Sequence, residues 1–62
     1  MNSTPHTADQ IRIGDVLLAG GRRVTFVRPT GSGGADITTV DADNVEVTYR
    51  QPGWLPVRIT NR

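Results

Sequence analysis

Val45-Glu46-Val47-Thr48-Tyr49-Arg50 alternates apolar and polar residues without a break. A period of two puts successive side chains on opposite faces of a pleated strand. Val45, Val47 and Tyr49 therefore share one face, and Glu46, Thr48 and Arg50 share the other. Asp41-Ala42-Asp43-Asn44 precedes this strand as a polar turn whose Asx side chains can cap their own backbone. Gln51-Pro52-Gly53 breaks it, Trp54-Leu55-Pro56 crosses over, and Val57 to Thr60 reads as a last strand with Val57 and Ile59 inward.

Working back toward the N-terminus, Ala35 to Val40 is a strand, preceded by Pro29-Thr30-Gly31-Ser32-Gly33-Gly34, whose glycine density predicts a mobile connection. Arg22 to Arg28 is expected to be a strand with Val24 and Phe26 on one face and Arg23, Thr25 and Val27 on the other. Gly20-Gly21 is a two-residue hairpin signal that supplies positive φ at both central positions. Ile11 to Ala19 reads as the first strand. Ile11 and Ile13 have one parity and Val16 and Leu18 the other, with Gly14-Asp15 at the change of phase. Thr7-Ala8-Asp9-Gln10 has capping-box spacing, but Ile11, Ile13 and Gly14 follow at once and limit the helix to one turn. Met1 to Thr7 has too little apolar area to order itself, so residues 1–9 are expected to be a flexible tail and 10–62 a single small domain.

Composition agrees with an all-β reading. Val, Ile and Thr contribute 19 of the 62 residues, against three Leu. These β-branched residues are stiff at χ1 and suit a pleated surface. Five short strands separated by turn signals point to a small barrel, and closure would remove two exposed pairing edges. The expected core is Ile11, Ile13, Val16, Leu18, Val24, Phe26, Ile37, Val45, Val47, Leu55, Val57 and Ile59. A chain this short buries only ~60% of the surface its unfolded form exposes, so dimerisation would help it. The sequence is compatible with a monomer or a homodimer. The seven Arg and absent Lys reflect nucleotide composition more than chemistry.

Ile11-Arg12-Ile13-Gly14-Asp15-Val16-Leu17, then Gly20-Gly21, then Arg23-Val24-Thr25-Phe26-Val27, resembles the opening of SH3-like small β-barrels of the Tudor and KOW kind. From Gln10 onward the chain is also similar to small proteins of actinobacteria and their phages. The resemblance implies a five-stranded SH3-like barrel and bears little on function. The aromatic cage of some Tudor domains needs several clustered aromatics, whereas this chain has only Phe26, Tyr49 and Trp54, with Phe26 claimed by the expected core.

The residue inventory argues against catalysis. There is no cysteine, hence no disulfide framework, thiolate nucleophile or cysteine-based zinc site. His6 is the only histidine and falls in the expected tail, so a Ser-His-Asp arrangement lacks a base. Asp41, Asp43 and Glu46 do not begin a calcium-loop pattern and read as a solvated turn. Gly31-Ser32-Gly33-Gly34 lacks the lysine and the following helix of phosphate-binding loops. No cofactor or metal site is expected. No apolar run reaches 18 residues and Met1 to Gln10 has no apolar signal core, so a cytoplasmic protein without membrane contact is the simplest expectation.

A binding module remains. The net charge is +1 overall, +2 over residues 1–31 and −1 over residues 32–62, which is a weak basic field for nucleic acid. The expected partner is therefore a protein, contacted by Trp54, Tyr49, Arg50, Arg28, Arg23 and Arg22, residue types that dominate interfaces. The alternative is a weak nucleic-acid-binding barrel with Arg22, Arg23 and Arg28 on phosphates. Trp54 has two readings, a lid over the open end of the barrel or an exposed contact residue.

Overall fold

The computed structural model describes residues 4–60. Strands β1 (Thr4–His6), β2 (Arg23–Pro29), β3 (Ala35–Val40), β4 (Glu46–Gln51) and β5 (Val57–Ile59) are joined by turns, with single 3-10 turns at Ala8–Gln10 and Ala19–Gly21. The protein is all-β. The strands form two antiparallel sheets, a meander β2-β3-β4 and a pair β1-β5, rather than one closed barrel. Isolated bridges from Val16 to Arg23 and from Leu17 to Ile59 connect the two sheets. No helix of the described residues is long and apolar enough to cross a membrane.

Local signals are realised where they are strong. The Asp41 side chain accepts the N–H groups of Asp43 at 2.9 Å and Val45 at 3.0 Å, capping the β3–β4 turn as its sequence suggests. Gly20 and Gly21 both take positive φ, 74° and 60°, and the reversal closes with Leu17 N–H donating to Arg22 C=O at 2.8 Å. At the single turn after Thr7, Gln10 Oε1 accepts the Thr7 N–H at 3.1 Å, the reciprocal arm of the expected capping box.

The expected first strand, Ile11 to Ala19, is instead a turn followed by a short bridging segment. Asp15 causes the change. Its buried carboxylate accepts the Arg12 N–H at 2.8 Å, its own N–H donates to Arg12 C=O, and Gly14 supplies φ of 98°. The chain leaves this turn with Leu17, not Leu18, facing the interior opposite Ile59.

The buried apolar residues are Ala8, Ile11, Leu17, Val24, Ala35, Ile37, Val57 and Ile59. Of the expected core, Ile11, Val24, Ile37, Val57 and Ile59 are there, while Val16 is half-buried. Ile13, Leu18, Phe26, Val45, Val47 and Leu55 are exposed instead. Phe26 has a specific cause. Val24 pairs with Thr39 and Phe26 with Thr38, so Thr25 is an extra residue in β2. This bulge inverts the phase and turns Phe26 outward and Val27 toward the core. Val45 and Val47 lie at the unpaired margin of the meander, where neither sheet covers them. Among the described residues, Thr39 Oγ1 is buried with no hydrogen-bond partner.

Residues 1–9, expected to be a tail, also differ. Thr4, Pro5 and His6 pair with Ile59, Arg58 and Val57, and Ala8 is fully buried in the core. The order comes from backbone pairing to the margin of β5, which needs no apolar side chain. Met1 to Ser3 lie outside the described residues. Deleting residues 1–7 should therefore lower the urea midpoint, by roughly 1–3 kcal/mol of stability, because it strips a ladder from β5 and opens the cover over Ile59. A midpoint unchanged in a paired titration would show that β1 adds nothing.

Candidate functional site

The turn carrying Trp54 is held against the β2–β3 loop by glycines. A Cβ on Gly53 would come within 2.7 Å of the Gly33 carbonyl carbon, and one on Gly34 within 2.7 Å of the Gln51 carbonyl oxygen. Only hydrogen at these positions lets the two backbones approach so closely. Thr30 N–H donates to Gly34 C=O at 3.1 Å and closes the loop, while the buried Gln51 donates Nε2–H to Leu55 C=O at 2.8 Å beneath the turn. The glycine-rich stretch, expected to be a mobile connection, is thus a docked one.

On this ledge Trp54 is 82% exposed, which rules out the reading of its ring as a lid. It borders a shallow depression of about 450 Å³ shared with Thr30, Ser32 and Arg50. A second depression of about 420 Å³ adjoins it through Thr30 and Arg50 and includes Arg28 and Asp36.

The arginines arrive there by strand register. Arg28 pairs with Asp36 across β2-β3, and Asp36 with Arg50 across β3-β4, which makes a row on the outer face of the meander. Arg50 donates Nε–H to Asp36 Oδ1 at 3.0 Å. That hydrogen bond is the main reason the Asp36 carboxyl lies below its ordinary pKa; desolvation opposes it, and the charges of Arg50 and Arg28 add to it. The same bond raises the Arg50 pKa. The next row on this face is Phe26, Thr38 and Thr48, with Phe26 half-exposed and the two threonine hydroxyls 2.8 Å apart. Phe26, the arginine row and Trp54 thus border one surface.

The remaining expected contact residues lie elsewhere. Tyr49 pairs with Ile37 on the inner face and lines an apolar groove of about 410 Å³ with Leu18, Leu55 and Pro56. Burial raises the pKa of its phenol, and the nearby Arg22 partly offsets that. Arg23 lies at the start of β2 beside the Asp41–Asn44 turn. The structure therefore gathers Trp54, Arg50 and Arg28, sets Tyr49 near Arg22, and places Arg23 on the outer face in the row beyond Phe26, away from Trp54. Sequence reading missed Asp36 and Thr30, because neither becomes a neighbour of Arg50 until β3 and β4 are in register.

The arrangement offers stacking, hydrogen-bonding and cationic groups on an open surface. No cluster of metal-ligating side chains occurs among the described residues. His6 pairs with Val57 in the β1-β5 sheet, and Asp41 uses its carboxylate on turn amides. In comparisons with known proteins, no family model, curated protein or solved structure matches the chain.

Two measurements probe this surface. Gly53→Ala forces backbone apart at the Gly33 contact and should lower stability by ~1–3 kcal/mol while altering Trp54 fluorescence; an unchanged denaturation curve would mean the loops are not clamped. Asp36 gives a pH signature. A carboxylate whose folded pKa is depressed stabilises the fold above its unfolded pKa, and the contribution is lost as pH falls through the folded value. From about pH 4 downward, wild-type stability should therefore fall more steeply than that of Asp36→Asn, with high salt narrowing the gap. Parallel acid limbs would show that the Arg50 pair makes no contribution.

Proposed function

We propose that this protein is a non-enzymatic binding module that engages a protein partner through Trp54, Arg50 and Arg28. The observation that carries this reading is the 82% exposure of Trp54 on a glycine-clamped turn beside two arginines. An exposed indole gains little for the fold, whereas a fixed aromatic flanked by arginine is the kind of group that dominates interface energetics. Two arginines against one aspartate favour an acidic partner segment carrying an apolar or aromatic side chain. Phe26 extends the apolar part of the surface.

We also read the architecture as a relative of SH3-like small barrels. What supports this is the three-stranded meander, the separate β1-β5 pair, and the Val16–Leu18 segment bridging both. The nucleic-acid alternative keeps one favourable feature, an aromatic stacking surface beside Arg28 and Arg50. Its original basis is weakened, because Arg22 lies by Tyr49 while Arg23 and Arg28 share the outer face of β2 with Phe26 between them.

Affinity capture from a lysate of the native host, with and without nuclease, followed by titration of the captured partner, tests the assignment. Trp54→Ala should cost roughly 2 kcal/mol or more of binding while folding stability changes by no more than about 0.5 kcal/mol. Replacing Arg28 and Arg50 by Gln should weaken a protein complex without abolishing it. A nuclease-sensitive complex whose salt dependence flattens in that double variant would favour the nucleic-acid reading instead.

A further inference from the structure

Strand β4 pairs with β3 on one side only, so its other edge is open among the described residues. The phase of the ladder determines which backbone groups face that edge. Val24 donates its N–H to Asp15 C=O and accepts the Gly14 N–H, so it turns away from β3, and its cross-strand partner Thr39 turns toward Val47. Asp41 N–H donating to Val45 C=O at 3.3 Å gives the same phase. Because antiparallel pairs alternate between bonded and non-bonded, the N–H and C=O groups of Val45, Val47 and Tyr49 face β3. Those of Glu46, Thr48 and Arg50 face outward. Natural edges are commonly blunted by proline, a bulge, a short strand or charged side chains; the charges here, Glu46 and Arg50, are opposite in sign and so can complement a second copy. This edge has no proline or glycine from Glu46 to Gln51 and no register shift against β3.

We propose that a second copy of the chain pairs with this edge, β4 against β4, antiparallel about a two-fold axis at Thr48. In that register Thr48 faces its own copy, and Glu46 of each chain faces Arg50 of the other, so all three outward-facing residues find bonded partners. The arrangement is isologous, and both opposite-charge contacts form on the outer face. On the inner face Val47 of each chain meets Tyr49 of the other, which covers apolar surface that one copy leaves open. Alternative axes do worse. Centring on Glu46 or Arg50 sets like charges opposite each other, and centring on Val47 or Tyr49 leaves both charges facing uncharged residues. Arg50 can serve two carboxylates, since only its Nε is used on Asp36 and the rest of its guanidinium remains to donate. The result is a six-stranded sheet with the Trp54 turns beyond the two ends of the β4–β4 seam. The inference rests on β4 alone and stands whether or not Trp54 binds a partner.

Sedimentation equilibrium from about 10 μM to 1 mM should show a concentration-dependent rise in mass toward the dimer. Glu46→Arg sets like charges opposite in both pairs and should weaken self-association about tenfold or more, as should Arg50→Glu. An equimolar mixture of the two variants restores opposite charge at both contacts and should recover the dimer; an axis at Glu46 or Arg50 would instead set like charges opposite in the wild type, so loss in each variant alone followed by recovery in the mixture identifies the Thr48 axis. Circular dichroism checks that Arg50→Glu, deprived of its Asp36 pair, still folds. A second route avoids that variant. The chain has no cysteine, and bonded antiparallel residues lie ~5.5 Å apart between Cα atoms, within disulfide range. Thr48→Cys should therefore oxidise to a covalent dimer while Asp43→Cys, in the turn, does not. Monomeric mass at every concentration, equal cross-linking of the two cysteine variants, or a mixture of folded charge variants that fails to associate would overturn the proposal.

Discussion

Backbone hydrogen bonds to the segment ending at Leu18 hold the two sheets of this protein together: Val24 N–H to Asp15 C=O and Leu17 N–H to Arg22 C=O on the side of the meander, Leu18 N–H to Arg58 C=O and Thr60 N–H to Val16 C=O on the side of β5. A two-stranded ribbon such as β1-β5 is marginal by itself, and a three-stranded meander needs a covered apolar face. The Val16–Leu18 segment satisfies both needs by bonding to each sheet and burying Leu17 opposite Ile59. Its phase is determined upstream by Asp15, whose carboxylate caps Arg12 and whose carbonyl accepts the Val24 N–H at 2.8 Å. The buried acid thus terminates one turn and aligns the next segment.

The same economy of backbone contact links the core to the surface. Inner-face Ala35, Ile37 and Thr39 are buried, and β3 runs directly from Gly34, which packs on the Gln51 carbonyl. Gln51 ends β4 and holds the Leu55 carbonyl from within. The position of the Trp54 turn therefore follows from the meander rather than from contacts of the indole, which makes few. In a small chain with little interior to share, backbone approach through glycine replaces side-chain packing as the way to order a loop.

Charge is arranged by the same geometry. Arg28, Asp36 and Arg50 are far apart in sequence yet form one row, because antiparallel register places them opposite one another. The pair is exposed, so its energetic weight is small and salt-sensitive. Its structural consequence is larger, since it orients Arg50 on the outer face between the Trp54 depression and the open edge of β4.

Local physical chemistry made several parts of this protein legible in its sequence. The limits of β3 follow from a run of β-branched residues between glycines and an Asx turn, the alternation of β4 from residues at period two, the Asp41 cap from an Asx side chain beside its own amides, and the Gly20-Gly21 reversal from a positive φ that glycine adopts without strain. Arg28, Arg50 and Trp54 were also readable as candidate contact residues by type. Tertiary structure decided the rest. Whether Leu17 or Leu18 entered the core depended on a hydrogen bond to Arg58, and whether Phe26 or Val27 did so depended on a bulge visible only against β3. The ordering of Thr4–His6 depended on an available β5 edge, and the grouping of Trp54 with Arg50 on two glycines from separate loops. Each of these is a contact between residues distant in the chain. A period-two pattern specifies which residues alternate, but a single inserted residue reverses which face is which, and only the partner strand determines where that insertion falls.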